Sequence, residues 1–243
     1  MNNRFVHGLW IVFLFGFLIS CGNSNVKEVS AAEEKKKDSV LVESADKPVI
    51  PSKYAALLEK FKPISFDTLK VYYKYTGKRF DGKELTLKEA KIFPIGITEN
   101  YFGKLSGVYA CYQFQIDSTT LGLIARTPSE YESSSIKLFL FDTKKDVLLK
   151  EYFELSQDIG DAGDYYNRTS WLFKTKNSQI QSFVYDYSSY YHGVEDTTDE
   201  TVDEWHSYFL IDCMSPKFDT ISKNETQLKK RFKRVLKKEN RSF

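Results

Sequence analysis

Ile136-Lys137-Leu138-Phe139-Leu140-Phe141-Asp142-Thr143-Lys144-Lys145-Asp146-Val147-Leu148-Leu149-Lys150-Glu151-Tyr152-Phe153 decides the fold of this chain. Two short apolar runs, 136–141 and 147–153, flank a polar stretch at 142–146 that carries an aspartate at each end. Runs of this length suit strands better than helices, and aspartate in a turn hydrogen-bonds the local backbone. The segment therefore reads as a strand, a turn and a returning antiparallel strand.

The same pattern recurs on both sides. Val108, Ala110, Tyr112, Phe114 and Ile116 alternate onto one face, and 117–120 turns the chain into 121–125. Residues 171–174 turn at 176–178 and return over 180–187. Residues 208–213 turn near Ser215-Pro216 and return over 218–221. A further strand is expected at 69–75. The expected class is mainly β, an antiparallel hairpin meander. The recurrence, and the strand–Asp turn–strand units, resemble parts of propeller blades. Propeller-like and sandwich packings are both open to such a chain. A parallel α/β fold is not, because no helices separate the strands.

Short helices are expected before the meander, at 53–61 behind Ser52 and at 84–91 behind the turn Asp81-Gly82. Ser222-Lys223-Asn224-Glu225 fits a capping box, and Leu228, Phe232, Val235 and Leu236 form one helical stripe. The rest of this closing helix, 225–239, is strongly basic. Its plain reading is a helix that docks its stripe on the sheet and leaves its charges in water. A sharper one is a basic surface for anionic head groups or envelope polymers.

The N-terminus carries an address. Arg4 precedes an apolar core over 9–19, too short for a permanent span of roughly 20 residues. The core ends in Leu18-Ile19-Ser20-Cys21, which resembles the bacterial lipobox. The resemblance implies a signal peptide at 1–20, removed to leave lipid-modified Cys21 as the new N-terminus. It also implies membrane attachment by several acyl chains, palmitate among them. Gly22 stands where an aspartate would favour inner-membrane retention, so the resemblance points to the outer membrane. Residues 21–50, without an aromatic side chain, read as a flexible tether. Residues 51–243 read as a single β-rich domain.

The 35 basic and 33 acidic residues leave a net charge of +2, which implies no nucleic-acid partner. Apart from Cys21 the cysteines are Cys111 and Cys213, both in expected strands. An oxidising compartment permits a disulfide between them, and two buried thiols are the alternative. No nucleophile elbow, zinc-protease helix, phosphate loop or dinucleotide fingerprint occurs in the chain.

Two acidic stretches invite weighing. Asp158, Asp161 and Asp164 are spaced three apart, wrong for a calcium hand loop, and read as a wide hairpin connection. Residues 185–205 read as a long loop rich in tyrosine and acid. Tyr190, Tyr191, His192, Trp205 and His206 are its candidate ligand-binding residues, suited to a sugar or a peptide. No catalytic residue, metal ligand set or cofactor is expected. The sequence thus points to a lipid-anchored envelope protein that binds or supports another envelope protein or a glycan. The alternative is an envelope hydrolase acting on polysaccharide or peptide.

Overall fold

All four hairpins form, and their turns show why. Asp142 Oδ1 accepts the backbone N–H groups of Lys144 and Lys145 at 3.0 and 2.8 Å, while Asp146 adopts a positive φ of 54°. Asp117 Oδ1 takes the Thr119 N–H at 2.8 Å, and Asp212 Oδ1 takes that of Met214 at 2.9 Å. In each case a short acid supplies the acceptor that lets the backbone reverse.

The computed structural model describes residues 52–74, 79–99, 107–130, 132–195 and 197–239. Cys21, the lipobox and the tether lie outside the described residues. The domain opens with α1 (Ala55–Leu58), β1 (Lys62–Pro63), β2 (Thr68–Val71), β3 (Lys83–Glu84) and α2 (Leu87–Ala90), then a 3₁₀ turn at Ile95–Ile97. The meander follows: β4 (Tyr109–Gln115), β5 (Thr120–Thr127), β6 (Ser135–Asp142), β7 (Val147–Asp161), β8 (Asp164–Lys174) and β9 (Ile180–Tyr191). A 3₁₀ turn at His192–Val194 leads to β10 (Val202–Asp212) and β11 (Thr220–Ser222). The helices α3 (Glu225–Arg231) and α4 (Lys233–Glu239) close the chain. Among the described residues no helix is long and apolar enough to cross a membrane.

The protein is mainly β. Its strands form one sheet in the order β1-β4-β5-β6-β7-β8-β9-β10-β11, antiparallel throughout except where β1 runs parallel to β4. The sheet is an open one, neither a ring of separate blades nor a closed barrel. β7 is the strand that joins its two halves. Residues 147–157 of β7 pair with β6, and 157–161 pair with β8. Where β7 has left the side of β8, β2 takes its place, with Thr68–Val71 against 170–173.

Three clusters fill the layers. The largest draws Ile124, Ile136, Leu138 and Leu140 from one half and Leu172, Val184 and Ile211 from the other, with Leu155 of β7 among them. The two halves therefore share a core, as in a sandwich. The outer face of β4–β6 packs Leu123, Phe139 and Phe141 under α1 and α2. The outer face of β8–β10 packs Trp171, Phe183 and Leu210 under Leu228, Phe232, Val235 and Leu236.

Several expectations are corrected. The closing helix is not continuous over 225–239. It breaks at Phe232, whose φ of −103° and ψ of 18° are not helical. The break lets the Phe232 ring stack on Phe183 with centroids 4.0 Å apart and planes 8° from parallel. Its basic side chains at Lys229, Lys230, Arg231, Lys233 and Arg234 are exposed. The first helix is one turn, with Tyr54 as its N-cap residue, and Ser52 stands just ahead of it, accepting the Tyr54 N–H on Oγ at 2.9 Å and hydrogen-bonding Asp146 in the β6–β7 turn. The expected helix at 84–91 is shorter, because Lys83–Glu84 pairs with β4 before Thr86 caps α2. Of the two alternatives left open for Cys111 and Cys213, the structure has the second: both are free, buried thiols and no disulfide joins them. Cys111 Sγ instead lies 3.2 Å from the carbonyl oxygen of Phe80, and burial pushes its pKa up to about 12. Burial likewise raises that of Cys213.

Candidate binding site on the projecting arm

Beyond the helix-covered core, four strands continue as an arm. It comprises residues 157–161 of β7, 164–168 of β8, 186–191 of β9 and 202–207 of β10, and none of these residues is buried. The expected wide connection over 158–164 is instead a tight hairpin. Ala162 and Gly163 both take positive φ, 47° and 92°, which suits a two-residue turn whose twist matches the strands. A Cβ at Gly163 would stand 2.8 Å from the Tyr191 carbonyl oxygen, so the turn and the end of β9 approach as only glycine allows. The expected loop over 185–205 is likewise mostly strand, with 181–191 of β9 paired to 202–212 of β10.

Strand alternation divides the arm into two faces. One continues the helix-covered side as a run of aromatic rings. Phe183, Tyr208, Tyr185, His206, Tyr187 and Tyr165 follow one another with centroids 5.3–6.4 Å apart. Their polar atoms are engaged. The Tyr185 hydroxyl and His206 Nδ1 share a hydrogen bond of 2.9 Å, and the Tyr187 hydroxyl donates to Glu204 at 2.6 Å. Burial and the Asp158 carboxylate push the Tyr165 hydroxyl up to about 12.

The other face is concave. Register places Trp205 opposite Ser188, Ser188 opposite Tyr166, and Tyr166 opposite Ile159, one row across four strands. The row floors a hollow of about 510 Å³ that Glu130, Gly160, Asp161, Ala162 and Asp164 complete, with Tyr165 and Ser189 reaching its lining from positions that alternate to the aromatic face. Gln157 Nε2 donates to Ser129 Oγ at 2.9 Å, which ties the loop bearing Glu130 to the arm. Trp205 is 53% exposed.

A polar belt supports this floor on the core side. Arg168 forks Asp186, Nε to Oδ1 at 2.8 Å and Nη2 to Oδ2 at 2.7 Å. Burial works against the Arg168 charge, but the Asp186 carboxylate outweighs it and holds the guanidinium above its ordinary range. Burial also raises the Tyr166 pKa, and the Asp186 carboxylate adds to the shift. The Arg168 guanidinium lies over the Tyr166 ring, 6.0 Å from its centroid.

The five residues singled out in the sequence do not share one site. Trp205 and Tyr190 lie on the concave face as diagonal neighbours. Tyr191 and His206 lie on the opposite face. His192 sits at the tip, where Nε2 donates to Asp203 at 2.9 Å and its ring meets Tyr190 edge-on at 5.0 Å. The Asp203 hydrogen bond raises the His192 pKa above 6.5. The Tyr190 hydroxyl donates to Glu195 at 2.6 Å. Tyr166, Ser188 and Ile159, which complete the floor, were not among the five. The signal for them was the Asp161–Asp164 turn, since a two-residue hairpin there sets Ile159 across from Tyr166. Among the described residues no group of His, Cys, Asp and Glu converges as a metal-ligand set. No protein family, curated protein or solved structure matches the chain.

Proposed function

We propose that this chain is a lipid-anchored protein of the bacterial cell envelope, attached through Cys21 and delivered to the outer membrane. Its domain is a non-catalytic binding module that holds another envelope component, a protein or a glycan, on the concave face of the arm. The observation that carries this reading is the row of Trp205, Ser188, Tyr166 and Ile159, with Trp205 53% exposed. A large ring left in water contributes nothing to the core and much to a contact. Support for the address comes from Leu18-Ile19-Ser20-Cys21.

One experiment in cells tests both parts. The full chain is expressed with a photo-crosslinking residue at Ser188, with and without Cys21→Ala, and the membranes are fractionated. Lipid labelling and outer-membrane recovery are expected for the parent and lost with Cys21→Ala. Defined crosslinks from position 188 are expected to vanish with Trp205→Ala. Normal membrane retention of Cys21→Ala overturns the anchor, and crosslinks indifferent to Trp205 overturn the site.

A further inference from the structure

We propose that the concave face takes a saccharide chain that carries hydroxyl or amino groups and no anionic group. One sugar ring stacks on Trp205, and neighbouring polar hydrogens meet the carboxylates of Glu130, Asp161 and Asp164. This rests on the reading of the arm as the binding surface and names what it binds.

Four features select this chemistry. The first is shape. The hollow's 510 Å³ lies within the roughly 300–1,000 Å³ of small-ligand clefts, and its floor crosses four strands, about 14 Å at strand spacing. An extended oligomer fits such a strip better than a compact molecule. The second is the rings. Trp205 and Tyr166 are the aromatic residues of the row that floors the hollow, and Trp205 is 53% exposed. Aromatic faces attract the polarised C–H groups of a pyranose ring.

The third is charge. The lining holds three carboxylates and no lysine, arginine or histidine. Carboxylates accept hydrogen bonds and repel anions, so uronic, phosphorylated and sulfated sugars are disfavoured while hydroxyl and ammonium donors are matched. The fourth separates a glycan from a protein. Ile159 and Ala162 are the aliphatic side chains of the lining, which makes no broad apolar patch for a helix to dock on. An added peptide strand uses a sheet edge, whereas this floor is a sheet face.

The test is calorimetric titration of the full-length protein with three tetrasaccharides: N-acetylglucosamine, its deacetylated amino form, and a uronic acid. The neutral and amino oligomers are expected to bind and the uronic one to fail. Trp205→Ala should weaken binding about tenfold or more with the far-ultraviolet spectrum unchanged. Asp164→Asn should weaken the amino oligomer more than the neutral one. Equal or tighter binding of the uronic oligomer overturns the proposal, as does binding indifferent to Trp205→Ala. If no saccharide binds while Trp205-dependent crosslinks to an envelope protein persist, the saccharide is wrong and the arm remains the site. If both fail, the arm is not a binding surface.

Discussion

Thr86 and Glu89 show how few atoms can hold an element in place. Glu89 N–H donates to the Thr86 hydroxyl, Thr86 N–H donates back to the Glu89 carboxylate at 2.7 Å, and Lys60 Nζ reaches the same oxygen at 2.6 Å. Chiefly because of Lys60, and then of Thr86, the Glu89 pKa falls from 4.5 to about 2. The folded value lies below the unfolded one, so this contribution is complete above 4.5 and is lost as pH falls towards 2. Glu89→Ala is expected to cost about 1 kcal/mol at neutral pH in urea unfolding, and the gap between variant and parent should close in acid. A gap that stayed constant down to the acid limit would contradict the assignment. Lys137 interrupts an otherwise apolar run, and it is buried beside Glu154 at 3.2 Å, with the Thr127 hydroxyl at 2.9 Å. Nothing local in the sequence announces that placement, because the carboxylate comes from the next strand.

The elements that bury a face were legible and those that do not were misread. Residues 136–141 alternate between two packed layers, and their apolar content announces a strand. The outer halves of β9 and β10 run Tyr187-Ser188-Ser189-Tyr190-Tyr191 and Val202-Asp203-Glu204-Trp205-His206, half-buried or exposed on both faces, and so resemble a loop in composition. Cross-strand pairing, not burial, makes them strands, and register is a property of two segments that neither shows alone. The floor of the site was hidden for the same reason. The terminal helices show the opposite case, a stripe read correctly and then bent by one ring. Leu228 is 2% exposed within the cluster around Phe183. Leu228→Ala is expected to cost about 2–4 kcal/mol and to release α3 and α4 ahead of the sheet. Hydrogen exchange should then lose protection over 225–239 while β4–β6 keep theirs. Uniform loss across the domain would mean the helices are integral to the sheet.

At the scale of the molecule, the two halves of the sheet stand or fall together, because β7 belongs to both and one core lies between them. Leu155 is fully buried on that strand. Leu155→Ala is expected to lower global stability by about 2–5 kcal/mol, with no separate unfolding of either half. In a background with Trp10 and Trp205 both replaced by Phe, circular dichroism and the fluorescence of buried Trp171 should give coincident transitions. Two resolved transitions would show that the halves have independent cores. The mainly β class followed from local patterns. The hand-over along β7 did not, since β2 meets β8 across about a hundred residues of sequence and only the assembled sheet reveals the vacancy that it fills.

That shared strand also gives the domain a direction. At one end of β7, Asp146 holds the point where the chain enters the domain, through the Ser52 hydroxyl and the Lys53 N–H. At the other end lies the Asp161–Asp164 turn that rims the hollow. Between them run 15 residues of strand, about 50 Å of contour. The hollow and Ser52 therefore stand at opposite ends of one strand, and a pull applied between those two ends would load the β7 hydrogen bonds in shear, many at once, instead of unzipping them singly.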